Sequence, residues 1–426
     1  MTLGEFDAAD MADSRDMTPG LHIPRAPARP GQSPDFGYLT LSAAGVARRP
    51  DVLAHFRETV GLAGELIRVL DDEFRAVGPW DPRLDEQVLR DGLRAMLLTR
   101  LFDERMQRAH RQGKISFYVR SLGEEAVSVA ACMALRSCDM LFPSYRNQGL
   151  FITRGRPVVD LMCQVLGNTR DMCKGRQLPI FYHWAAGNLF SLSGNLTTQF
   201  PQAVGWAMAA ALKKSDAIAA AWTGDGSASE GDFHEALVFA TVYRAPVILN
   251  VVNNQWAIST TERFTGTEQQ TLAARGPGCG IAGLRVDGND FLAVYAATRW
   301  AAERARRGGG ATLIELVTYR AAAHSTSDDP SRYRPREEQA NWPLGDPVER
   351  LKSHLIGRAA WSQEQHVHLV QELESQLAAS WAEAVQYGTL TDGPRLDADL
   401  MFEDVFERLP ENLRRQREEF RSEQEP

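Results

Sequence analysis

The run at 246–252, PVILNVV, leaves little choice of structure. It is apolar and β-branched with no polar alternation, which suits a strand buried on both faces of a parallel sheet. Two further runs, at 217–223 and at 312–318 (TLIELVT), read the same way. Helical patterns separate them, at 233–243 and 291–307. Strands alternating with helices predict an α/β fold whose mostly parallel sheet is flanked by crossover helices.

The strand ends carry the chemistry. Gly224-Asp225-Gly226 follows the first run, and Asn253-Asn254 ends the second. Open parallel sheets bind ligands beyond the carboxyl ends of their strands. A carboxylate from Asp225, an amide oxygen from Asn254 and a carbonyl just after it suit a hard cation such as Mg2+, which keeps company with phosphates. The flanking glycines let backbone approach a diphosphate closely. A glycine-flanked aspartate alone is usually only a turn. Paired with an amide across a strand–helix–strand unit, it points to a metal clamped on a diphosphate.

The rest of the chain divides around this unit. Residues 1–80 hold an extended arm and short helices; Pro19, Pro24, Pro27, Pro30 and Pro34 block helix and central strand there. Residues 81–345 form the α/β domain. It opens on a helix from about Asp85, with Val88, Leu89, Leu93, Met96, Leu97 and Leu101 at helical spacing. A second amphipathic stretch covers 124–135. Residues 346–426 form a helical tail: Asp346, Pro347 and Glu349 mark one helix start, and Ser362 with Gln365 a capping box. Val370, Leu373, Leu377 and Trp381 then make an apolar stripe.

Bulk properties exclude several roles. A net charge of −8 over 426 residues argues against non-specific nucleic-acid binding. Cys132, Cys138, Cys163, Cys173 and Cys279 form no CxxC pair, so they are read as reduced thiols. No apolar run reaches the length of a membrane span, and the N-terminus lacks a signal-peptide core. The expected location is the cytoplasm.

The segment 224–260, GDGSASEGDFHEALVFATVYRAPVILNVVNNQWAIST, resembles the α subunits of the thiamine-dependent 2-oxo acid dehydrogenases, most of all the bacterial branched-chain (2-oxoisovalerate) type. The likeness extends to ISFYVRSLGEEA (115–126), FPSYRNQG (142–149), KGRQLPI (174–180), GNLTTQFPQAVGWA (194–207), RVDGNDFLAVYAA (285–297) and TYRAAAHSTSDDPSRYR (318–334). It implies a thiamine-diphosphate-binding fold. The implied reaction is oxidative decarboxylation of branched-chain 2-oxo acids such as 3-methyl-2-oxobutanoate. The acyl group would pass to lipoyl groups of a dihydrolipoyl acyltransferase.

By the same resemblance Asp225, Asn254 and the Trp256 carbonyl would hold Mg2+. Tyr145, Arg146, Gly194, Leu196, Gly226 and Ser227 would meet the cofactor. His324 would contact its diphosphate and act at the border of the reaction centre, where it could donate hydrogen bonds to phosphate or move protons near neutral pH. Ser193, Asn195, Thr198 and Gln199 would form a potassium site. Some relatives carry an arginine two residues before the metal-binding Asn; here Val252 stands there, so neutralisation of the diphosphate would lean on Mg2+, Arg146 and His324. Phe117, Tyr118 and Leu196 are apolar candidates for the substrate pocket. Glu124 and Glu125 are read as helix-start or packing residues, and Ser325 as a loop-capping hydroxyl.

In this family a glutamate of a second, similar domain activates the cofactor. Only ninety-two residues follow Arg334, and they read as helices. The chain therefore resembles half an active site, completed by a β subunit in an α2β2 assembly. The alternatives are the α subunit of a pyruvate or acetoin dehydrogenase and, from another class, a non-catalytic scaffold. A two-metal phosphohydrolase fits poorly, because His–Asp clusters are lacking.

Overall fold

A computed structural model describes residues 21–424. The first part of the expected arm, with Pro19, lies outside the described residues. Six strands form one parallel sheet: β1 (Leu66–Ile67), β2 (Met140–Phe142), β3 (Ala219–Gly224), β4 (Val247–Asn253), β7 (Ala282–Asp287) and β8 (Thr312–Val317). Between them, β5 (Trp256–Ala257) and β6 (Thr260–Thr261) make a small antiparallel hairpin.

The sheet order is β1-β7-β8-β4-β3-β2. The chain steps from β2 to β3 to β4 in one direction, passes to β7, then returns to β8. The direction of winding thus reverses between β4 and β8, the kind of switch point where such sheets open a crevice. All seven residues of β4 are buried, as its uninterrupted apolar run requires. The three strands read from sequence are present, each within about two residues of its expected bounds. β1, β2 and β7 were not anticipated.

The helices divide between the two faces. α2 (Glu86–Arg111), α3 (Glu125–Ala134), α5 (Val158–Leu166) and α9 (Phe291–Arg306) share one core with α10 (Pro347–Gly357) and α11 (Gln363–Ala384). α6 (Gln199–Leu212) and α7 (Gly231–Val242) pack in a second core on the other face. Local chemistry sets the starts. Asp346 accepts from the N–H groups of Val348 and Glu349 ahead of α10, with Pro347 in the first turn. Ser362 and Gln365 form a reciprocal capping box on α11. Asp290 caps α9 through Leu292 and Ala293, while its other oxygen accepts from Val69 and Leu70 just past β1. One buried carboxylate thus ties the edge strand to a core helix.

The described part of the arm is extended and docked. Phe36 packs edge-on against Trp342, and Tyr38 Oη donates to Gln255 Oε1 at 2.9 Å. Its end therefore touches the turn that leaves β4. All five cysteines are free thiols.

Candidate active site

β3 ends at Gly224, which lies in register with Val252 of β4. The next residue, Asp225, starts a short 3-10 turn, Gly226–Ser229. Its backbone N–H donates to the Val252 carbonyl, and its Oδ1 accepts from Gly226 N–H at 2.7 Å. Oδ2 is buried and has no hydrogen-bond partner. An orphaned carboxylate oxygen in the interior is costly unless something else meets it. Burial, with Glu262 nearby, pushes the carboxyl up to about 7, although the Gly226 N–H and Arg320 pull the other way. Such a carboxylate suits a cation. Among the described residues no three His, Cys, Asp or Glu side chains converge as metal ligands. A cation here would take one carboxylate, one amide oxygen and a backbone carbonyl, the hard oxygen set that Mg2+ favours.

Asn254 follows β4 directly. Its Nδ2 donates to Glu124 Oε1 at 2.9 Å, and its Oδ1 accepts a long bond, 3.4 Å, from Trp256 N–H. Between them Gln255 sits at φ +74°, a left-handed conformation uncommon for a residue with a side chain. The Trp256 carbonyl accepts from Arg320 Nη1 at 2.9 Å, which leaves it one lone pair.

A cleft opens in front of these strand ends. Glu124, Tyr145, Arg146, Leu196, Ser227, Val252 and Asn254 line it, with Ser193, Gly194, Asn195 and Gln199 at one side. Nine of the residues expected to bind cofactor or cation thus share one cavity. Asp225, Gly226, Trp256, Thr198 and His324 do not line it, although Asp225 and Gly226 lie between the lining residues Gly224 and Ser227, and Thr198 donates to the Asn195 carbonyl. Gln199 Oε1 is buried without a partner. Gly194 faces Phe181, whose ring would lie 2.8 Å from an added Cβ. A wider surface cleft lined by Glu73, Arg83, His354 and Arg358 contains none of the strand-end residues.

The positive charge is concentrated. Arg146 is almost fully buried. It donates to the Arg120 carbonyl at 2.7 Å and, through Nη2, to the His324 carbonyl at 2.7 Å and toward its Nδ1 at 3.0 Å. Arg320 also approaches that Nδ1, at 3.4 Å. A guanidinium can only donate, so Nδ1 accepts and the ring proton sits on Nε2. Burial, then Arg146 and Arg320, push His324 down to about 3. Of the two expected roles this favours hydrogen-bond donation over proton carriage near neutral pH: burial and the two guanidiniums hold the imidazole neutral, and Nε2 offers the hydrogen bond. Its loop is pinned by Asp328, which accepts from His324 N–H and Tyr333 Oη.

Three participants escaped the sequence reading. Glu124 precedes α3 as expected but makes no cap bond; it faces the cleft, and burial pushes it up to about 7. Its neighbour Glu125 is structural, paired with Arg100 and accepting from Gly123 N–H. Arg320 is given no role by the sequence, yet it is fully buried beside His324. Thr197, at φ +65°, donates its hydroxyl to the Ser227 carbonyl at 2.6 Å and ties the 193–199 segment to the Asp225 turn. A buried β-branched residue at positive φ is strained, and no sequence signal marks it. Tyr118 is a further correction. It lies fully buried with its hydroxyl on Asp103, away from the cleft.

Comparison with known proteins adds independent findings. Residues 93–392 match the family described as dehydrogenase E1 component. Residues 17–55 match the 2-oxoisovalerate dehydrogenase E1 alpha subunit N terminal family. The chain is 59% identical to a 2-oxoisovalerate dehydrogenase subunit alpha of Pseudomonas aeruginosa over 94% of its own length and 97% of that relative. It is 37% identical to the mitochondrial subunit alpha of Homo sapiens, over 83% of this chain and 78% of the human one. The figure is 38% for the mitochondrial subunit alpha 2 of Arabidopsis thaliana, over 82% and 73%.

Proposed function

This chain belongs to the dehydrogenase E1 component family, and we propose that it is the α subunit of a branched-chain 2-oxo acid dehydrogenase. Its reaction is the oxidative decarboxylation of 3-methyl-2-oxobutanoate and similar acids. The observation that carries the reading is the buried, unpartnered Asp225 carboxylate in the turn between Gly224 and Ser227, two residues that line the same cleft as Arg146 and Asn254. Those two charges suit the metal and the diphosphate of one cofactor.

The family implies thiamine diphosphate, which when bound supplies the nucleophilic carbon and the electron sink that decarboxylation needs. Asp225, the Asn254 Oδ1 and the Trp256 carbonyl would hold Mg2+. Arg146 would pair with diphosphate oxygens, exchanging its bonds to His324 for charge-assisted ones. Gly226 and Ser227 would let backbone approach the diphosphate, and Tyr145 would flank it. Gly194 and the Leu196 carbonyl would border the aminopyrimidine, with Phe181 behind Gly194 keeping that wall close. His324 would donate from Nε2 to phosphate or to the reacting group. Ser193, Asn195, Thr198 and Gln199 would take potassium, a role that suits the unpartnered Gln199 Oε1.

An α subunit implies a β partner and a place in a complex. We place the cofactor at an α–β interface of an α2β2 assembly, where the β subunit would supply the activating glutamate. The exposed apolar residues Leu196 and Ile258 beside the site suit such a contact. The acyl group then passes to a lipoyl-bearing acyltransferase in the cytoplasm. No helix among the described residues is long and apolar enough to cross a membrane.

The test is the chain co-purified with its β subunit and assayed on two acids. A higher kcat/KM for 3-methyl-2-oxobutanoate than for pyruvate is expected. Equal or better turnover of pyruvate would move the chain to the pyruvate-type rival. No turnover and no binding of thiamine diphosphate would leave the scaffold reading.

A further inference from the structure

We propose that Glu124 is a positioning residue for Asn254: it holds the amide so that Oδ1, and not Nδ2, is presented to the divalent cation. The inference rests on the cofactor reading above.

An asparagine can coordinate a cation through only one end of its amide, since the NH2 end repels it. The two ends are nearly the same size, so what they bond to decides which faces the ligand. The backbone here gives little help. Asn254 stands at the end of β4, beside the left-handed Gln255. Glu124 supplies the missing constraint. Its Oε1 lies 2.9 Å from Asn254 Nδ2. The opposite end, Oδ1, meets only the Trp256 N–H at 3.4 Å, a weak contact that leaves it available.

Glu124 is itself held for this task. It is 3% exposed and lines the cleft, and Arg146 Nε lies 3.9 Å from the same Oε1. It does not cap the helix it precedes. The adjacent Glu125 takes the structural work through Arg100 and Gly123. Partners that orient a metal ligand through its far side are a general requirement of such sites, and losing one usually costs about 10–100-fold in metal affinity.

The experiment uses the α–β assembly at saturating thiamine diphosphate. Mg2+ is titrated, and the rise in melting temperature gives the midpoint. Glu124→Ala is expected to raise the Mg2+ midpoint about 10–100-fold. Glu124→Gln, which keeps a carbonyl acceptor for Nδ2, is expected to raise it much less. Glu125→Gln is the control: it should lower the cation-free melting temperature and leave the midpoint unchanged. A wild-type midpoint in Glu124→Ala would overturn the proposal. So would equal midpoint shifts in Glu124→Ala and Glu125→Gln, the mark of general loosening. If Glu124→Ala does not assemble, Glu124→Met, which fills the space but offers Nδ2 no oxygen acceptor, takes its place in both comparisons. A wild-type assembly with no Mg2+ response would instead overturn the cofactor reading itself.

Discussion

Asp225 bears the sharpest energetic consequence. Its carboxyl, pushed up to about 7 by burial, is ionised in the unfolded chain from about pH 4 upward. A raised folded value means that the folded state holds its proton longer. Stability is therefore lost as pH rises from about 4 to 7, and the loss is complete above 7. Asp225→Asn should stabilise the cation-free protein at pH 8 by about 1–3 kcal/mol, the usual cost of an unsatisfied buried group. At pH 4 the two proteins should melt alike, and the variant should no longer respond to Mg2+. Thermal melts at both pH values check this.

If the cation binds at Asp225 as proposed, the same group would make binding a proton-releasing event. Near pH 6.5 much of Asp225 is protonated, and Mg2+ must displace that proton. Calorimetry in buffers of different ionisation enthalpy should show proton release on Mg2+ binding at pH 6.5 and little at pH 8.5. Equal heats in all buffers at pH 6.5 would contradict the shifted carboxyl. His324 adds nothing to this titration, because burial, and then Arg146 and Arg320, keep it neutral.

At the scale of elements, the site depends on how closely the turn after β3 approaches the β5–β6 hairpin. A Cβ on Gly226 would lie 2.5 Å from the Ala257 Cβ, so Gly226→Ala must push the hairpin, and with it the Trp256 carbonyl. Overpacking of this kind costs about 1–3 kcal/mol. A cofactor-binding titration should show lost affinity well before the fold is lost. The arm contributes from the other side. Tyr38→Phe deletes the bond to Gln255 and should cost about 1 kcal/mol, read as a lower melting temperature and faster proteolysis of residues 21–45.

Elements also show what the sequence could and could not reveal. β4 was plain because seven consecutive residues are buried. β1 and β2 have two and three residues, too few for any period to show. β7 carries Arg285 in its middle, buried beside Glu315 and donating to the Thr40 carbonyl. A paired buried charge hides a strand from any reading based on hydrophobic runs. The site divides in the same way. Asp225 and Asn254 were visible because strand ends mark them. Glu124, Arg320 and Thr197 belong to the site only because distant segments fold onto it, and single-chain spacing carries no trace of that.

The whole molecule leaves apolar surface open. α7 and the residue after it expose Val238, Phe239, Val242 and Tyr243, and the end of α6 exposes Leu212. A helix apolar on both sides is normally covered by something. In an α2β2 assembly that cover is another subunit. Phe239→Glu should therefore weaken assembly, with smaller species appearing in sedimentation while the fold of the chain persists by circular dichroism. An unchanged tetramer would place the interface elsewhere.

On the proposed function this chain would supply the metal- and diphosphate-binding half of an active site and would need another chain to act. The most direct measurement is carbon dioxide release from 3-methyl-2-oxobutanoate, with thiamine diphosphate, Mg2+ and an artificial electron acceptor present. It is run on the α chain alone, the β chain alone and the two together. Turnover only in the mixture, abolished by Asp225→Asn, is the predicted result. Turnover by the α chain alone, or a mixture indifferent to Asp225→Asn, would contradict it.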